Sequence, residues 1–100
     1  MITKEECIPG TIVTVNSKKS KTNSELGARN GGLTCFKWSP SGSFSIGDPM
    51  FEIFPGTKIE ILSPAKKIGT CGVQVKFKVV GDNNKVFSAW WSAFKPKVDM

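Results

Sequence analysis

From Gly72 to Val79 the chain alternates without a break: Val73, Val75, Phe77 and Val79 are apolar, and Gln74, Lys76 and Lys78 are polar. A period of two is that of a β-strand, which predicts one face on a core and Gln74, Lys76 and Lys78 in water. Thr57-Lys58-Ile59-Glu60-Ile61 repeats the rhythm, with Ile59 and Ile61 inward. Together with weaker versions of the pattern, these two stretches predict strands at Thr11 to Val15, Leu33 to Trp38, Ser43 to Ile46, Met50 to Phe54, Thr57 to Leu62, Gly72 to Val80 and Lys85 to Trp91. Gly81-Asp82-Asn83-Asn84 supplies residues that tolerate tight turns, so Gly72 to Trp91 reads as a β-hairpin. Ser39-Pro40-Ser41-Gly42 marks another tight connection. The one helical signal is at the start, where Thr3 and Glu6 have the spacing of a capping box before Pro9-Gly10 stops the turn.

Two stretches resemble each other. Pro9-Gly10-Thr11-Ile12-Val13-Thr14-Val15-Asn16-Ser17 lines up with Pro55-Gly56-Thr57-Lys58-Ile59-Glu60-Ile61-Leu62-Ser63, and Phe36-Lys37 and Phe44-Ser45 echo Phe77-Lys78 and Phe87-Ser88 in the same order. Two similar three-strand units would follow. The other reading is that Pro-Gly-Thr is simply a good way to turn into a strand. Either way the expected fold is all-β: five to seven antiparallel strands closing into a small barrel, since closure hides the edges that otherwise aggregate. Residues 16–32, apolar-poor and containing Lys18-Lys19-Ser20-Lys21, read as a long basic loop within a single 1–100 domain.

Composition narrows the chemistry. There is no His among 100 residues, which removes the commonest general base and zinc ligand. The carboxylates Asp48, Glu52, Asp82 and Asp99 are scattered, and no nucleophile stands beside a base at recognisable spacing. A non-catalytic protein without metal or cofactor is expected. Cys7, Cys35 and Cys71 form no Cys-x-x-Cys pair, so Cys35 and Cys71 are expected as core residues of a chain in a reducing cytoplasm. The acidic opening Met1-Ile2-Thr3-Lys4-Glu5-Glu6 is unlike a secretion signal, and no apolar run approaches the roughly 18 residues of a membrane span, so no membrane partner is expected.

From Phe54-Pro55-Gly56-Thr57-Lys58-Ile59-Glu60-Ile61 through the long hairpin to Trp90-Trp91-Ser92-Ala93-Phe94, the order of strands resembles an SH3-like small barrel, with the KOW-type members of transcription and translation proteins as the nearest subgroup. The absence of Tyr separates it from the SH3 domains that take proline-rich peptides. The compact, Lys-rich composition also resembles small accessory proteins of tailed bacteriophages, and that resemblance implies action on host factors or nucleic acid.

Charge supplies the candidate site. Fourteen Lys and Arg against eight Asp and Glu leave a net charge of +6, and thirteen of the cations are Lys. Lysine neutralises phosphate as a point charge, whereas bidentate reading of guanine needs arginine, so nucleic-acid binding here should tolerate sequence. Residues 51–100 carry eight cations and four anions, against six and four in residues 1–50. Lys66, Lys67, Lys76, Lys78 and Lys85 are the candidate phosphate contacts, followed by Lys95 and Lys97. About four such contacts would give a log-log salt slope of roughly −3 to −4. Trp90 is the candidate stacking residue: strand neighbours face opposite ways, so if Trp91 joins Phe87 and Ala89 in the core, Trp90 points out. Lys18, Lys19, Lys21 and Arg29 form a candidate basic arm. Two alternatives stand beside this: edge lysines that keep a sheet soluble, and a protein-interaction module that regulates or inhibits a host enzyme through an aromatic and basic surface facing an acidic partner.

Overall fold

The computed structural model describes residues 2–18, 32–39, 49–67, 72–82 and 85–100. Among the described residues eight strands form one antiparallel sheet: β1 (Ile12–Val15), β2 (Leu33–Lys37), β3 (Met50–Ile53), β4 (Lys58–Ile61), β5 (Lys66–Lys67), β6 (Val73–Val79), β7 (Val86–Trp90) and β8 (Val98–Asp99). Their order is β3-β2-β7-β6-β4-β1-β8, with β5 added to β6. A flat row of seven strands spaced about 4.8 Å apart would be a thin slab. The observed extents of 29 × 28 × 25 Å show instead a sheet curled around its own inner face, an all-β, small barrel-like fold. Among the described residues no ladder joins β3 to β8, so the curl leaves a seam where closure was expected.

The inner face is continuous. Leu33, Cys35, Ile53, Ile59, Ile61, Val75, Phe77, Phe87, Ala89, Val13, Val15 and Val98 are all buried in one cluster. On β4 and β6 they follow the predicted parity. Phe77 touches Phe87 and Phe94, with ring centroids 6.0 and 5.5 Å apart. The expected hairpin is present, with Phe77 opposite Phe87 and Lys78 opposite Val86. Asp82 N–H donates to Val79 O (3.0 Å) at the start of its turn.

The N-terminal capping box is formed as expected. Glu6 N–H donates to Thr3 Oγ1 (3.3 Å) and Thr3 N–H donates to Glu6 Oε1 (3.1 Å) around a single turn. Ile2 is buried, and its N–H donates to Lys95 O (3.1 Å), tying the first residues to the last.

Three elements depart from expectation. Lys66 and Lys67, outside every predicted strand, form β5, because the chain leaving β4 bends at Leu62 and Ser63 and rejoins the same edge of β6. Both Leu62 N–H and Ser63 N–H donate to Lys76 O (2.8 and 3.3 Å), and Ser63 Oγ accepts from Lys76 N–H (3.2 Å). The last predicted strand stops at Trp90, and Trp91–Phe94 form a helical turn, α1, that places Phe94 in the core. The tail then returns as β8 on the free side of β1, with Val15 opposite Val98. The predicted strand Ser43 to Ile46, and residues 19–31 of the predicted basic loop, lie outside the described residues.

The Pro-Gly-Thr repeat coincides with a local two-fold. Val13 pairs with Ile59, its own equivalent in the repeat. Around that pair the hydrogen bonds come in matched couples: Gly10 N–H to Ile61 O and Gly56 N–H to Val15 O, both 2.7 Å, then Ile61 N–H to Thr11 O and Val15 N–H to Thr57 O, both 2.9 Å. Each copy opens with a turn closed from Thr to the residue before Pro, Thr11 N–H to Ile8 O (3.0 Å) and Thr57 N–H to Phe54 O (3.2 Å). Gly10 and Gly56 have φ of +92° and +91°, the third position of a Pro-Gly turn that a side chain resists. The symmetry stops there, since β4 is flanked by β6 and β1 by the two-residue β8.

Candidate nucleic-acid interface

Register decides which candidate lysines share a face. Lys66 lies opposite Gln74, Lys76 opposite Ser88, and Lys78 opposite Val86 on one side and Glu60 on the other. Directly opposed residues point the same way, so Lys66, Lys76 and Lys78 all stand on the outer face of the curled sheet. Trp90 is opposite Gln74 and Phe36 opposite Ser88, which adds their rings to that face. Lys66 is exposed, while Lys76 and Lys78 are half-buried.

The aromatic part is packed. Phe36 and Trp90 meet edge to face with centroids 5.5 Å apart. The Lys76 ammonium sits 3.9 Å from the centroid of Trp38, a cation–π contact that holds the charge beside an indole without neutralising it. Trp90 is therefore the outward member of the tryptophan pair, half-buried, and Trp91 turns into α1 to stack on Phe94 at 6.3 Å.

Gln74 corrects the expectation that every even residue of β6 meets water. It is buried, and Ser88 Oγ donates to its Oε1 (2.8 Å). A polar pair between Trp90 and Phe36 has lost its water to the rings, and the mutual hydrogen bond compensates.

Lys85 and Lys67 do not join the outer face. Lys78 pairs with Val86, so Lys85 has the parity of Phe87 and turns to the inner side at the end of the barrel. Lys67 lies opposite Val73 and has inner parity too, although it is exposed. Lys95 is exposed beyond α1. Lys97, expected among the surface cations, is fully buried, and its Nζ has no hydrogen-bond partner among the described residues. Burial pulls its ammonium below the ordinary lysine value, with Glu52 acting the other way. In the candidate basic arm, Lys18 is exposed and its N–H donates to Asn16 Oδ1 (2.9 Å), while Lys19, Lys21 and Arg29 lie outside the described residues.

Sequence reasoning missed two residues, one on each face. Trp38 closes the predicted strand Leu33 to Trp38, and nothing in a linear pattern pairs it with Lys76. Lys37 has inner parity one residue before it, opposite Phe87. Continuing the alternation of Leu33 and Cys35 past the end of the apolar run would have found it.

The thiols are core. Cys35 is buried and pushed up to about 12, and burial also raises Cys7, so neither is a thiolate near neutral pH. Cys71 lies outside the described residues. Among the described residues no three of His, Cys, Asp or Glu cluster as a metal site, and no helix is long and apolar enough to cross a membrane. Comparison with protein-family models, with curated proteins and with solved structures returns no match.

Proposed function

We propose that the chain is a non-catalytic module that binds nucleic acid with little sequence preference through the outer face of its sheet. The observation that carries this reading is the common register of Lys66, Lys76 and Lys78 beside Trp38 and Trp90. Three ammonium groups neutralise phosphates, and the two half-buried indoles offer ring surface on which any base can stack. The near absence of arginine fits contact with the backbone rather than with base edges. The SH3-like, KOW-type resemblance points the same way.

The test is titration of fluorescent single- and double-stranded DNA and RNA at two salt concentrations. With three phosphate contacts rather than four, the log-log salt slope is expected at about −2 to −3. Lys66→Glu with Lys78→Glu should abolish binding and leave the far-ultraviolet circular dichroism unchanged. Binding that survives the pair unchanged overturns the assignment to this face. No binding at low salt, with one stoichiometric protein captured instead, favours the protein-interaction reading, for which Met50 and Phe54, exposed along β3 and its following turn, are the supporting observation.

A further inference from the structure

At the end of the barrel beyond Lys37 and Val86 the described residues do not close over the inner face. Lys37, Phe51, Lys85, Val86 and Phe87 line a hollow of about 400 Å³ there, within the range of small-ligand sites. Its floor is aromatic: Phe51 and Phe87 pack with centroids 5.5 Å apart, and Phe51 keeps 41% of its surface exposed. Its rim is cationic. Lys37 is the direct partner of Phe87, so Lys85 is its diagonal neighbour on the adjacent strand, at a spacing of roughly 7–8 Å. The bond from Trp38 N–H to Val86 O (2.9 Å) fixes the two strands at this point.

Two like charges held diagonally above an apolar floor repel each other, and no carboxylate is among the described residues lining the hollow. A comparable hollow between Ile2 and Trp91 differs in this respect, since Glu5 lies beside its Lys4 and Lys95. A planar ring with a phosphate a few ångströms away satisfies both parts of the mouth at once. The ring covers the free surface of Phe51, and the phosphate takes charge-assisted hydrogen bonds from both ammonium groups. We propose that the barrel mouth is a binding site for a nucleoside monophosphate, its base on Phe51 and its phosphate between Lys37 and Lys85. The site is on the opposite side of the sheet from Lys66, Lys76 and Lys78 and does not depend on nucleic-acid binding there.

Calorimetric titration of the full chain with AMP, adenosine and ribose 5-phosphate tests it. AMP should bind at least tenfold more tightly than either fragment, because only AMP engages floor and rim together. Lys37→Gln with Lys85→Gln should weaken AMP at least tenfold and leave adenosine unchanged. Phe51→Ala, at an exposed position that the fold tolerates, should weaken AMP and adenosine alike. Equal affinity for AMP and adenosine, or AMP binding indifferent to the double lysine variant, overturns the proposal. Lys66→Glu with Lys78→Glu separates the two sites: oligonucleotide binding is lost while AMP binding stays within twofold. AMP binding lost with that pair, in a folded variant, overturns the mouth as the site. A parent chain that takes AMP and no oligonucleotide supports the mouth and overturns the outer-face reading alone.

Discussion

β1 and β4 start from the same Pro-Gly-Thr turn and meet across a local two-fold, yet their outer neighbours differ. On β4, Ile61 is opposite Phe77 of the seven-residue β6; on β1, the equivalent Val15 is opposite Val98 of the two-residue β8. Phe77 and Val98 thus occupy matching places, both fully buried, with unequal support. β6 is held by β7 and by both β4 and β5, whereas β8 has β1 alone among the described residues and borders the seam. A local symmetry in sequence can therefore coexist with a steep gradient of stability across the sheet, from β6 outward to β8.

The largest effect that exposes this gradient is at its strong end. Phe77→Ala removes a ring that touches Phe87 and Phe94 and should cost about 3–5 kcal/mol in urea unfolding, a large share of what a domain of this size has. Val98→Ala, at the matching place, removes two methyl groups and should cost about 2 kcal/mol. Equal losses would show that β8 is as firmly built in as β6 and would end the comparison. Hydrogen exchange gives an independent view: amides of β6 should open with global unfolding and those of β8 well before it.

Next in size is the residue beside Val98. Lys97 is buried without a hydrogen-bond partner among the described residues, and burial lowers its proton affinity in the folded chain. The unfolded chain then holds a proton that the folded chain has released, between the lowered folded value and the ordinary value of 10.5. Across that window stability rises with pH, and below it the cost is present in full. Lys97→Met keeps the stem and removes the ammonium. It should stabilise the protein by about 1–3 kcal/mol at neutral pH and flatten the alkaline rise. A variant that is less stable than its parent would mean that the ammonium holds the seam together, reversing its role as the weak point.

Lys97 also shows where the sequence stops being legible. Two-residue alternation predicted β1 to β4, β6 and β7, down to the inward residues of β4 and β6, because a period of two is a local property that burial enforces. The face shared by Lys76 and Lys78 was legible for the same reason. What escaped was everything set by pairing between distant segments. Lys97 reads as one more surface cation until the tail is laid along β1. Lys85 reads as a companion of Lys78 until register puts Val86 in that place. Gln74 reads as wet until Trp90, Phe36 and Ser88 arrive around it. Trp91 leaves the strand only because α1 must carry Phe94 under the barrel, a demand of the core that no neighbour in sequence announces.

The smallest expected effect tests the two-fold itself. Gly10 and Gly56 have the same positive φ, and a Cβ added at either would meet no atom within 4 Å. Substitution by Ala therefore reports backbone strain with no steric contribution, about 1–2 kcal/mol at each site. If the two turns are equivalent in energy as they are in hydrogen bonding, Gly10→Ala and Gly56→Ala should shift the urea midpoint equally, and the double variant should show the sum. A Gly56→Ala loss clearly above that of Gly10→Ala would mean that the turn between β3 and β4 carries strain its partner lacks. That outcome is physically reasonable: Gly56 must turn the chain from the seam strand β3 back into the middle of the sheet, whereas Gly10 follows only the short capped turn at the N-terminus. Equality would instead show that the four matched backbone hydrogen bonds around Val13 and Ile59 set both turns, whatever each is attached to.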